Sequence, residues 1–464
     1  MGQRLGALDA VFLDLEDSHR PMHVGGLLTF ETKAESSRRP GICGMLETIE
    51  ARLPLLPRCR QRLVAVPLAM GRPVWVDDPA FDIRNHLFEV QLPAPGTRAQ
   101  LLELVAKLHS SCLRRGRPLW EMHLIHGLED GRTALYAKLH HAMVDGVSAL
   151  ELGMVLLDLD PEGALSPLVP AGVPPGPVPA PADLVAEATR EALETMAGVG
   201  VRGMRAAPSL VRGALNGFAS GNVTTSVGKF FRLAPSGPLN GPVGAGRRIA
   251  CVRLPLGEIK EVKNRLGASV NDVVLATIGE AVSEYLGHRR AAAEGLRYRV
   301  LVPVSVRAES DKSFGNQVSA VVVDLPVGPM DAGRRLWVVM QEMAANKRGA
   351  RAGATEELLA ASALAPAPLH ALASRFGIGN QRMVNMIVSN VPGVQLPVYA
   401  AGSRTLEMYP LLPLAPNNRM VVCALSYNNE LNIGVVADRA AIPDIAVFEQ
   451  GILNGFARLK ATSA

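Results

Sequence analysis

Eight prolines fall between residues 161 and 181 of this 464-residue chain. Each proline fixes φ and removes a backbone donor, so the stretch holds neither a helix nor a central strand and reads as a crossing between two halves. The expected division is an N-terminal domain over residues 1–160, a Pro-rich, basic and helical linker over 161–246, and a C-terminal domain over 247–464. Within the linker, Asp183 is placed to cap a helix running to residue 196, and a second helix is expected near 208–218.

Both halves mix strand-like alternation with helical periodicity. Residues 122–127 and 133–139 read as two strands joined at Glu129-Asp130-Gly131, a hairpin signal. Further strands are expected at 298–304, 318–325, 386–389, 420–426 and 431–437, and helices at 99–114, 271–286, 332–345 and 444–460. The architecture this implies is α+β in both halves.

Hydrophobic residues make up 48% of the chain and charged residues 20%, an apolar excess for a soluble protein. No uninterrupted apolar run is long enough to span a bilayer, so the excess is expected to line an interior, a tunnel or a surface that meets lipid. The N-terminus lacks the pattern of a secretory signal, which implies a cytoplasmic location. Five scattered cysteines without a CxxC pair argue against a disulfide framework and a zinc site. A net charge of +5 with few aromatic residues gives no reason to expect nucleic acid. Residues 195–257 nevertheless hold eight basic residues and no Asp or Glu, which fits either a solvated face or an anionic surface.

The segment richest in chemistry is His140-His141-Ala142-Met143-Val144-Asp145-Gly146, directly after the second strand of the hairpin. Strand alternation puts Leu135, Ala137, Leu139 and His141 on one face and Tyr136, Lys138 and His140 on the other. His141 thus belongs to the apolar side. A neutral imidazole there is suited to taking a proton from a hydroxyl nucleophile. Asp145 either bonds the second ring nitrogen or holds the loop through an ion pair, and Gly146 permits a tight turn. A satisfied core histidine beside an Asp-Gly turn is the plainer alternative. A metal is not expected, because adjacent strand residues point to opposite sides.

This HHxxxDG block resembles that of the bacterial wax ester synthase/acyl-CoA:diacylglycerol acyltransferases, a branch of the CoA-dependent acyltransferase superfamily that includes chloramphenicol acetyltransferases and peptide-synthetase condensation domains. Similar blocks run almost end to end: residues 8–13 with Glu16, 21–25, 75–78, Arg117-Pro118-Leu119-Trp120-Glu121, 238–242, 271–276, 302–307, 315–317 and Ser389-Asn390-Val391-Pro392-Gly393. Departures are Pro416-Asn417-Asn418 and Tyr427-Asn428-Asn429, where the family more often has glycine.

Ser269-Val270-Asn271-Asp272 also has a local reading, as the capped start of a helix whose Val274, Leu275, Ile278, Val282 and Tyr285 face one way. Asn271, with Asp272, stands at a helix N-terminus suited to stabilising an oxyanion or positioning His141, although capping explains it nearly as well. Gly198-Val199-Gly200-Val201-Arg202-Gly203 matches a dinucleotide fingerprint only literally, since no strand precedes it.

The resemblance implies two chloramphenicol-acetyltransferase-like domains, each a mixed sheet with flanking helices, joined by the crossover linker. It implies direct transfer of a long-chain acyl group from acyl-CoA, a substrate and not a cofactor, to diacylglycerol or a long-chain alcohol. His141 would act as general base, and Arg247 and Arg248 would contact CoA phosphates. It further implies work at the inner face of the membrane or at lipid droplets. A carrier-loaded condensation-type enzyme and a lipid-binding protein without turnover are the alternatives.

Overall fold

The structure, a computed structural model, describes residues 3–31, 41–143, 153–161, 176, 178–191, 193–194, 232–305, 318–350 and 382–462. The N-terminal half runs β1 (Gln3–Arg4), α1 (Ala7–Leu15), β2 (His23–Phe30), α2 (Ile42–Arg52), β3 (Gln61–Val64), β4 (Val74–Asp77), β5 (Leu87–Gln91), α3 (Arg98–His109), β6 (Trp120–His126) and β7 (Thr133–His140). The C-terminal half runs β8 (Arg247–Pro255), α4 (Leu256–Leu266), α5 (Val270–His288), β9 (Arg297–Ser305), β10 (Val318–Pro326) and α6 (Ala332–Ala350). It continues through β11 (Met386–Val391), β12 (Tyr399–Ala400), β13 (Ser403–Leu411), β14 (Met420–Tyr427), β15 (Glu430–Asp438) and α7 (Ile445–Thr462).

Two six-stranded sheets carry these elements, in the orders β12-β13-β2-β7-β6-β5 and β10-β9-β11-β14-β15-β8, beside a small β1-β4-β3 sheet. Both large sheets are mixed: β5 runs parallel to β6, and β11 runs parallel to β9 and β14. Mixed sheets with flanking helices are the fold class expected from the sequence.

Local chemistry accounts for the joints. The β6–β7 hairpin turns through Gly127 and Gly131, both in the left-handed region at φ 82° and 75°. At the β14–β15 hairpin a two-residue loop, Asn428-Asn429, takes φ 45° and 63° at consecutive positions. A tight hairpin turn needs two left-handed residues, and asparagine adopts that region most readily after glycine. The departure from glycine at this turn therefore keeps its geometry. The expected linker helix begins at residue 181, before Asp183, because Pro181 occupies its first turn, where no backbone donor is needed. Its Leu184 and Ala188 pack on Val74 and Val76 of the small sheet and on Val66 just after β3, and Arg4 pairs with Glu191 at 2.7 Å. The second expected linker helix and the glycine-rich 198–203 segment lie outside the described residues.

Sheet membership departs from chain order. Strand β13, in the expected C-terminal domain, pairs antiparallel with β2 of the N-terminal sheet from Leu411↔Gly25 to Thr405↔Phe30. It covers an edge that would otherwise be open. Where β13 passes over β15 the backbones nearly touch: a Cβ on Gly434 would lie 2.0 Å from the Pro410 carbonyl oxygen. Only glycine allows that approach.

The apolar core has three main parts. Helices α5, α6 and α7 cover one face of the C-terminal sheet through residues such as Ile278, Leu336 and Phe448. Helix α5 is buried at every position from Asp272 to Val282, more than the single apolar face expected, because α6 and α7 both pack on it. Helix α2 covers the N-terminal sheet with Met45 and Ile49. Between the two sheets lie α3 and a shared cluster that includes Val105, Tyr136, Ile249, Tyr409 and Val436.

Candidate active site

Strand β7 sits centrally in the N-terminal sheet, hydrogen-bonded to β2 and β6, so its alternate residues face two different environments. On one face Leu135, Ala137 and Leu139 line a cavity of about 170 Å³. Its opposite wall comes from the C-terminal sheet, through Ser389 and Val391 of β11 and Leu425 of β14. The lining is almost wholly apolar and draws on both halves of the chain.

On the other face Tyr136, Lys138 and His140 enter a buried polar layer. The Lys138 ammonium lies 3.2 Å from the Glu121 carboxylate and donates to the carbonyls of Leu108 and Ser111. Tyr136 Oη lies 2.8 Å from His109 Nδ1. Burial, reinforced by the Arg247 charge, brings His109 down to about 3, so its ring is neutral and the tyrosine hydroxyl donates to it. Burial likewise holds His23 well below the usual histidine range.

His140 is 1% exposed, and its Nδ1 accepts the Ala142 N–H at 3.0 Å. That assigns the ring proton to Nε2, which lies 3.3 Å from Glu16 Oε1. His140 thus turns away from the cavity, as strand alternation predicts. His141 follows the strand in a turn, half-buried, with its N–H donating to the Met22 carbonyl at 2.8 Å. Its ring stacks on Phe12 of α1, centroids 3.8 Å apart and planes 9° from parallel. Asp145 and Gly146 lie outside the described residues.

Asn271 and Asp272 open α5, and Asp272 closes the capping box with Ser269: its carboxylate accepts the Ser269 N–H at 2.8 Å and its own N–H donates to Ser269 Oγ at 3.2 Å. Asn271 beside it is half-buried. Both belong to the helix at the centre of the C-terminal core and not to the elements that hold the histidines.

Arg247, expected at CoA phosphates, is turned inward and 2% exposed. Its guanidinium donates to the carbonyls of Gly244, Gly246 and His19, the last at 2.6 Å, so it ties β8 to the loop between α1 and β2. Three donor groups already bonded to carbonyls leave little for a phosphate. Arg248 is half-buried on the opposite face of β8. Arg253 pairs with Glu407, and Arg232 with Asp324, each at 3.7 Å. The local excess of positive charge in 195–257 is therefore partly offset in space by acids from distant segments. Arg202, Arg205, Arg212 and Lys229 lie outside the described residues.

Sequence reasoning does not single out Glu16 as a site residue, although it stands four residues after Phe12 and so on the same helical face. Trp75 and Trp120 are core aromatics, with Trp120 Nε1 donating to the Cys59 carbonyl at 2.8 Å. Among the described residues no group of three or more His, Cys, Asp or Glu is arranged to hold a metal ion, and no helix is long and apolar enough to cross a membrane.

Residues 5–274 match the wax ester synthase/diacylglycerol acyltransferase catalytic domain, and residues 314–460 match the C-terminal domain of the same family. A probable diacylglycerol O-acyltransferase of Mycobacterium tuberculosis is 33% identical over 99% of this chain and 96% of its own length. A second from that organism is 34% identical, covering 94% of each. Among solved structures, the wax ester synthase/diacylglycerol acyltransferase of Marinobacter aquaeolei VT8 superposes with a TM-score of 0.69 at 28% identity over 99% of both chains. The first condensation domain of the calcium-dependent antibiotic synthetase, at 17% identity and a TM-score of 0.62 over 100% of this chain and 97% of its own, shares the fold.

Proposed function

The chain belongs to the wax ester synthase/diacylglycerol acyltransferase family, and from that premise we propose that it moves a long-chain acyl group from acyl-CoA to the hydroxyl of diacylglycerol or a long-chain alcohol, with His141 as general base. The observation that carries the reading is the continuity of one strand. β7 walls an apolar cavity with Leu135, Ala137 and Leu139 and ends in the turn that bears His141. The acyl chain lies in the apolar space, which excludes water from the thioester.

The imidazole takes the acceptor proton as the hydroxyl oxygen attacks the thioester carbonyl carbon. The tetrahedral intermediate then collapses, the C–S bond breaks, and the departing sulfur of CoA receives the proton from the imidazolium. No acyl-enzyme forms. Radiolabelled palmitoyl-CoA offered diacylglycerol, hexadecanol or water separately tests this. Label is expected in triacylglycerol or wax ester with little free fatty acid, and acceptor and donor plots should intersect. Parallel plots together with a labelled peptide trapped without acceptor would replace direct transfer by a covalent route.

Because the acceptor is lipid-borne, the same reading places the enzyme peripherally at an anionic membrane or droplet surface. Binding is attributed to the basic residues between 195 and 231, since Arg232, Arg247 and Arg253 are engaged elsewhere. Interfacial Lys and Arg contribute up to ~1 kcal/mol each beside anionic lipid. Sedimentation with anionic vesicles is expected at low salt, falling as salt rises and weakening when Arg202, Arg205 and Arg212 become Gln. Equal recovery on neutral vesicles, insensitive to salt, would assign binding to apolar insertion.

A further inference from the structure

We infer that helix α1 positions the catalytic turn, with Phe12 orienting the His141 ring and Glu16 anchoring His140 beside it. The inference rests on His141 being the base. His141 lies beyond the end of β7, so the ladder that orders Leu135 to Leu139 does not by itself fix its ring. A proton acceptor displaced by an ångström loses its alignment with the hydroxyl. Something outside the strand has to hold the ring.

Among the described residues, three restraints on the turn come from α1 or the chain that follows it. Phe12 lies flat against the His141 ring, centroids 3.8 Å apart. The Met22 carbonyl accepts the His141 N–H at 2.8 Å. Glu16 then links both: its Oε1 accepts the Met22 N–H at 3.2 Å and lies 3.3 Å from His140 Nε2. Phe12 and Glu16 are one helical turn apart, and they engage consecutive residues of the turn, His141 and His140.

Glu16 is itself fixed. Arg115 donates to its Oε2 through Nε at 3.2 Å and Nη2 at 2.9 Å, and a second bond from Nη2 reaches the Leu13 carbonyl at 3.0 Å. Its side chain is 5% exposed. Burial alone would push this carboxyl up, but His140, Arg115 and the Met22 N–H together bring it down to about 2, so a charged acceptor faces the His140 Nε2–H throughout the working pH range. An acceptor oxygen is needed there because Nδ1 of His140 is committed to accepting from Ala142. The helix thus supplies outer support of the kind that holds a reacting group in its productive rotamer.

The test uses the full-length enzyme with Glu16→Ala, Glu16→Gln and Phe12→Leu, each assayed with palmitoyl-CoA and diacylglycerol, and His141→Ala as reference. Positioning predicts that Glu16→Ala and Phe12→Leu lower kcat by about 10- to 100-fold with the KM for palmitoyl-CoA within about twofold. Glu16→Gln, which keeps an acceptor oxygen, should recover most of the loss. Unchanged kcat in Glu16→Ala and Phe12→Leu, with His141→Ala inactive, overturns the inference and leaves His141 as the base. So does a fall in folded fraction at full kcat per folded molecule, which marks α1 as merely structural. Full activity in His141→Ala would instead remove the premise itself.

Discussion

Replacing His141 by Ala is expected to slow acyl transfer by about 100- to 10,000-fold, the range lost when a general base is removed, with little change in melting temperature. The fold should survive because the side chain is half-buried in a turn and its structural hydrogen bond, to the Met22 carbonyl, is made by the backbone. His140→Ala is expected to behave in the opposite way. That ring is 1% exposed, accepts the Ala142 N–H and faces Glu16, so its removal leaves the Ala142 donor and the Glu16 carboxylate without a partner they now have. Stability should fall, and the activity lost should be smaller per folded molecule. Steady-state rates beside thermal melts separate the two. Equal rate losses in both variants with native melts would mean that the two faces of β7 do not divide the roles as stated.

Arg335→Ala is expected to destabilise the C-terminal half by about 3–5 kcal/mol, the range seen when one partner of a buried ion pair is removed. Arg335 of α6 is 1% exposed. Its Nε and Nη2 lie 3.0 and 2.9 Å from Glu280 Oε2 on α5, and it also donates to the carbonyls of Pro326, at the end of β10, and Gly328 just after it. Without it the Glu280 carboxylate stays buried with, among the described residues, only Arg458 of α7, itself half-exposed, to balance it. The double change Arg335→Met with Glu280→Leu should recover most of the loss, because the cost lies in the uncompensated charge and not in the missing bond. Urea titration of the three proteins checks this. A single variant within about 1 kcal/mol of the parent would show that water or Arg458 relieves the carboxylate.

That His140 turns away from the cavity is legible in the sequence because the information is local. A strand puts successive residues on opposite faces, so the apolar run Leu135, Ala137, Leu139 is enough to say which side faces the cavity. The capping box at Ser269 and Asp272 and the β6–β7 hairpin are legible for the same reason: each is closed by residues only a few positions apart. The role of Glu16 is not, since its partners His140 and Arg115 lie about a hundred residues further along the chain.

The sequence by itself determined the kind of elements, the mixed α+β class and the strand that leads into the histidine pair, because helical and strand periodicities and turn residues act within a few positions. Tertiary structure alone decided that β13 leaves its own half to pair with β2, that Arg247 is buried against the His19 carbonyl, and that Arg253 and Arg232 meet Glu407 and Asp324. The physical reason is common to all of these. An open strand edge, a guanidinium and a carboxylate each specify what kind of partner they need, but only the folded chain brings that partner within bonding distance.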